Sequence, residues 1–234
     1  VVYDSSISNA PAVARVRNAS GNSFELKVQN PSGASLSGYT VHIMVVEEGV
    51  YTDAEHGIDL EAIKVNSDGT NGRSRWSSSQ LEQIAPSNSY INPVVLGQVM
   101  TENDVNWSVF WSCDGTRTRP ARSDFIYVGK HVAEDSNNTR LDETLGVIIL
   151  ESGSGTLDGV NYTAGVGADN VRGIGNNAPY SYGLSGLSSA SVALVSSAGM
   201  DGSDGGWAAL FGVSPVSVTN LNLVIEEDQI RDAE

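Results

Sequence analysis

Phe24-Glu25-Leu26-Lys27-Val28 alternates apolar and polar residues with a period of two, the pattern of a strand with one buried face. Val147-Ile148-Ile149-Leu150 is apolar at every position, as in a strand covered on both faces. Short runs rich in Val, Ile and aromatic residues recur at 12–17, 23–29, 39–47, 94–100, 106–112, 124–129, 144–151, 190–196, 206–212 and 217–226. Gly, Asn, Asp, Ser and Pro punctuate them, so each is predicted to be a strand bounded by turns. Residues 78–84 are the one expected short helix, with a serine cap and Glu82 near its start. The pattern predicts an all-β chain of antiparallel sandwiches.

The pattern also repeats. Pro11-Ala12-Val13-Ala14-Arg15-Val16, Pro93-Val94-Val95-Leu96-Gly97-Gln98-Val99 and Ala190-Ser191-Val192-Ala193-Leu194-Val195 each lead through a turn to a second strand. Phe24, Trp107 and Trp207 hold equivalent places in those second strands, which argues for core positions. The first two blocks then reach an apolar segment ending in acid-x-Gly, Val41-His42-Ile43-Met44-Val45-Val46-Glu47-Glu48-Gly49 and Leu145-Gly146-Val147-Ile148-Ile149-Leu150-Glu151-Ser152-Gly153. The third block stops at Glu234 before such a segment, and it is expected to need a strand from outside. The repeat predicts tandem β-sandwich domains, one over residues 1–88 and a second over 89–234 that contains the incomplete third unit.

Composition narrows the function. The net charge is −15, and the 13 Lys and Arg residues are scattered without forming a patch, so no nucleic-acid partner is expected. No apolar run reaches the roughly 20 residues a membrane helix needs. Cys113 is the single cysteine, so no internal disulfide is expected. The sequence opens at Val1 without an initiator Met or a signal-peptide pattern, as a mature, processed chain would. An acidic, Gly- and Ser-rich chain fits an extracellular or cell-surface setting.

Several stretches carry a resemblance. Asn92-Pro93-Val94-Val95, Asn106-Trp107-Ser108-Val109-Phe110-Trp111, Tyr127-Val128-Gly129-Lys130-His131 and Asp142-Glu143-Thr144-Leu145-Gly146 resemble repeats of large secreted bacterial proteins. So do Pro179-Tyr180-Ser181-Tyr182, Ala190-Ser191-Val192, Gly206-Trp207 and Glu227-Asp228-Gln229. Those repeats are similar to the H-type lectin sandwich. The resemblance implies a sugar-binding β-sandwich that assembles into oligomers. In such repeats the Glu-Asp-Gln segment leads on to a closing apolar strand, and this chain departs from the pattern by ending at Glu234.

Candidate chemistry is sparse. His42, His56 and His131 lack neighbours at metal-ligand spacing, and no Gly-x-Ser-x-Gly elbow is present. The carboxylate doublets Glu47–Glu48, Glu134–Asp135, Asp142–Glu143 and Glu226–Glu227 read as solvated surface, so no enzyme is expected. Asp201 and Asp204, on a Gly-rich turn, read either as hairpin chemistry or as oxygen ligands for calcium, the one candidate cofactor. Trp76, Tyr180 and Tyr182 lie outside the repeat and form the candidate glycan platform.

Two functions remain. The first is an extracellular structural subunit that polymerises head to tail. Its N-terminal arm, Val1, Val2, Tyr3 and Ile7, would pair into the incomplete third unit of the next copy, against Leu223 and Ile225. The second is a lectin-like adhesion module that binds polysaccharide.

Overall fold

The computed structural model describes residues 1–3, 10–36, 38–73 and 75–231. In chain order the strands are β1 (Val2–Tyr3), β2 (Val13–Ser20), β3 (Ser23–Gln29), β4 (Gly49–Tyr51), β5 (Leu60–Ser67), β6 (Glu82–Ile84), β7 (Pro93–Val99) and β8 (Val109–Cys113). They continue with β9 (Ile126–His131), β10 (Glu143–Glu151), β11 (Gly153–Leu157), β12 (Val160–Ala164), β13 (Tyr180–Gly183), β14 (Ser197–Ala198), β15 (Trp207–Phe211) and β16 (Asn220–Glu226). The chain is all-β. Its helical content among the described residues is one turn at Asp53–His56 and a 3-10 turn at Ser78–Gln80. Ser77 caps that 3-10 turn by accepting the Ser79 N–H. The expected helix goes no further, because Glu82–Ile84 leaves it to pair with β9.

Three four-stranded sheets form, ordered β4-β5-β10-β7, β14-β8-β9-β6 and β1-β15-β16-β13, with two hairpins, β2-β3 and β11-β12. The first two sheets pack face to face. Val95 and Val99 from β7 and Leu145, Val147 and Ile149 from β10 meet Phe110, Ile126, Val128 and Ile84 from the opposing sheet. A methyl group added at Gly97 would overlap the Phe110 ring, so a residue without Cβ lets the sheets close here. The other face of β10 is covered too. Ile148 and Leu150 join Ile58, Leu60 and Val94 beneath Leu157, Tyr162 and Ala164 of the β11-β12 hairpin. The double burial read from the apolar run is therefore present.

Three expectations change. The cut near residue 88 does not fall at a break in the sheets. Leu60–Ser67 pairs along β10, and Glu82–Ile84 pairs with β9, so segments before and after residue 88 share both sheets of the sandwich. Residues 41–47 and 190–196 have strand composition but join no ladder, and only Thr40 makes an isolated bridge, to Val2. Phe24 is exposed, while Trp107 and Trp207 are buried with ring centroids 5.7 Å apart.

Candidate assembly site

The N-terminal strand lies on the third sheet of its own chain. β1 runs parallel to β15 with Val2 opposite Leu210 and Tyr3 opposite Phe211. The Leu210 N–H donates to the Val1 carbonyl (3.1 Å) and the Gly212 N–H to the Tyr3 carbonyl (2.6 Å). On the other edge the Val2 N–H donates to the Thr40 carbonyl at 2.9 Å. The strand alternates its side chains between two apolar clusters. Val2 packs with Leu210 and Leu223, and Tyr3 packs with Ala12, Ala209 and Val224.

Tyr3 is the anchor. Its hydroxyl donates to the Ala12 carbonyl at 3.0 Å and accepts the Ala12 N–H. The Trp207 indole N–H donates to the same carbonyl at 3.1 Å. Tyr39 stands edge-on to the Tyr3 ring at 5.2 Å and donates its own hydroxyl to the Ala10 carbonyl. Burial, reinforced by the charge of Glu226, pushes the Tyr3 hydroxyl well above its ordinary pKa, so it stays a neutral donor and acceptor.

The expected assembly residues thus meet in one chain. Val1, Val2, Tyr3 and Leu223 line the two faces of this sheet, and Ile225 lies on β16 opposite Ala208. Ile7 lies outside the described residues.

Trp76 and Tyr182 of the expected glycan platform fall in different apolar clusters. Trp76 donates its indole N–H to the Ser203 carbonyl and stands edge-on to Trp111 at 5.4 Å. Tyr180 and Tyr182 sit on β13, bonded through their hydroxyls to the Asn176 and Ala168 carbonyls. Tyr182 belongs to the Val2–Leu210–Leu223 cluster and Trp76 to a different one with Trp111 and Met200. A polar groove of about 490 Å³ opens elsewhere, between Arg17, Asn18, Lys64, Glu102 and Asn103.

The two aspartates of the Gly-rich turn have separate partners. Asp204 faces the Arg73 guanidinium at 3.4 Å. Asp201 shares a hydrogen bond with Asp169, and that bond and the neighbouring negative charge raise its pKa. Among the described residues no group of three His, Cys, Asp or Glu side chains is arranged around a metal position. Cys113 is buried, and desolvation raises its thiol to about 11.

The surface reading of the carboxylate doublets holds for Glu47 and Glu48 and is corrected for one member of each of the other three. Glu134, Glu143 and Glu226 are buried, each beside a neighbour that is more exposed, as strand or turn geometry dictates. Glu143 holds the most complete network. It pairs with buried Arg15 at 2.5 Å and accepts from the Thr101 hydroxyl and from the Asn103 and Asp104 N–H groups. Arg15 also donates to the carbonyls of Thr101, Asp104 and Asn106. This pair locks β2 to the start of β10. The sequence signal was Arg15 itself, two residues from Val13 and hence on the same inward face of a strand.

No family model matches this chain, and neither a curated protein nor a solved structure matches it. No helix among the described residues is long and apolar enough to cross a membrane.

Proposed function

We propose that this protein is an extracellular structural subunit that polymerises head to tail by exchanging its N-terminal strand. One observation carries the reading. β1 is a two-residue strand held by side-chain sockets and by residues some two hundred positions away, as Val2 opposite Leu210 illustrates. The same sockets accept the same strand from a neighbouring copy without new chemistry, because exchange keeps every contact. Residues 4–9 link the strand to Ala10, and six extended residues reach at most about 20 Å, so exchange joins only adjacent copies. A head-to-tail exchange that does not close on itself grows into a filament. The resemblance to H-type-lectin-like repeats of secreted bacterial proteins supports the extracellular setting.

Electron microscopy of the intact chain beside a variant lacking residues 1–9 tests this. Filaments from the intact chain that disappear in the deletion support strand exchange. Monodisperse particles from both sink it.

The polar groove favours a second reading, a lectin-like adhesion module. Arg17, Asn18, Lys64, Glu102 and Asn103 offer donors and acceptors suited to sugar hydroxyls. A glycan array tests it, with loss of binding expected in Asn103→Ala.

A further inference from the structure

Two segments of strand composition lie side by side with their backbones unpaired. Residues 41–46 (Val-His-Ile-Met-Val-Val) and 191–195 (Ser-Val-Ala-Leu-Val) meet where the Ala193 N–H donates to His42 Nδ1 at 3.1 Å. Among the described residues neither segment makes a backbone–backbone hydrogen bond. Each turns one set of alternate residues inward. Val46 packs beside Leu60 and Leu150, and Ala193 and Val195 pack beside Leu223. The other set faces solvent, with Val45 exposed to 74% and Val192 to 53%, flanked by Ile43 and Leu194. Such a strand is apolar on both faces and unpaired at its edge, which is a template for another strand.

We infer that this seam is where two copies of the chain associate, each covering the exposed residues of the other and completing the missing ladder. Two observations select a second copy as the occupant. The sequence repeat sets 41–49 against 145–153, and there the covering elements are strands, β5 along one edge and β7 along the other. Charge selects further. Residues 28–46 and 173–200 contain no Asp, Glu, Lys or Arg in a chain whose net charge is −15. Two copies repel each other over most of their surfaces and meet without that penalty here. A cationic partner would favour the acidic surfaces instead. The contact between copies is made by exposed residues outside 1–9, although Val2 supports the seam from within, packed in one cluster with Ala193 and Val195.

Amide hydrogen exchange on the full chain, followed from about 1 µM to about 300 µM, reads the seam directly and spans a micromolar dissociation constant. We expect the amides of 41–46 and 191–195 to slow by about tenfold or more with concentration, in step with dimer formation in sedimentation velocity. The double variant Val45→Lys/Val192→Lys places charges on both edges and should not dimerise through the seam, with the 145–150 amides unchanged. Free exchange of the seam at every concentration overturns the inference. So does equal protection at every concentration, which would mean that the two segments close a ladder within one chain. A wild type that stays monomeric at the highest concentration also overturns it. Val45→Lys/Val192→Lys should abolish the seam protection and leave filaments in place, because it leaves residues 1–9 untouched, so the two readings fail separately.

Discussion

Residues 145–150 and 41–46 are both strongly apolar and have opposite fates. The first run lies in β10, paired with β5 on one edge and β7 on the other and covered on both faces. The second lies extended beside residues 191–195 with no ladder and half its apolar side chains in water. The difference teaches that β propensity is a statement about fit to a pleated, half-buried surface. Composition makes a segment able to pair. Pairing itself depends on whether neighbouring strands offer free edges.

The comparison breaks most forcefully at the start of β10. Glu143→Ala leaves the Arg15 guanidinium buried without its counter-charge, and we expect a loss of about 3–5 kcal/mol in urea unfolding. A loss under about 1 kcal/mol would mean that the network does not hold the strand. The comparison itself is sharpened by making one change at two equivalent places. Ile149→Thr buries a hydroxyl in the sandwich core and should cost about 2–3 kcal/mol, whereas Val45→Thr should stay within about 0.5 kcal/mol at low protein concentration. Equal costs would erase the distinction drawn here. Gly97→Ala should cost about 2 kcal/mol by driving a methyl group into Phe110, and a neutral result would show that the ring moves aside freely.

The smallest effect concerns acid. His131 is buried, accepts the Ala133 N–H at Nδ1, and is held by desolvation down to about 3 from 6.5. The unfolded chain binds a proton between those values that the folded chain refuses. Stability from this source is therefore complete above about pH 6.5 and is lost as the pH falls towards 3. Denaturant midpoints at pH 6.5 and 5.0 should drop further in the wild type than in His131→Gln, by on the order of 1 kcal/mol. Parallel slopes would remove His131 from the acid response.

The same physics separates what was legible in the chain from what was not. Apolar continuity identified β10, whereas the expected equivalence of Phe24, Trp107 and Trp207 as core holds for the two tryptophans and not for Phe24, which is exposed. The burial of Arg15 could be read from its spacing to Val13, but its partner Glu143 could not, because a buried ion pair is compensated only by groups distant in sequence. The cut placed at residue 88 from turn composition falls between strands that share both sheets, for a related reason. Strand composition names the strands without naming their neighbours, and β5 finds β10 some eighty residues later. The apolar character of Val1, Val2 and Tyr3 was readable in the sequence. Their placement beside β15 in the same chain was not, since sequence carries no distinction between a neighbour within the molecule and one across a contact.

The pairing of Val2 with Leu210 has a consequence for the order in which the molecule can be made. Contacts of such long sequence separation carry a large loop-closure cost and form late. The β8-β9 and β15-β16 ladders close over tens of residues, so they can form while Val2 and Tyr3 still wait for a partner. During that interval the edge of β15 is open. If the first strand is exchanged between copies as proposed, a crowded nascent population would find the Tyr3 socket of another molecule as accessible as its own, and the concentration at which the chain is produced would decide how its ends are joined.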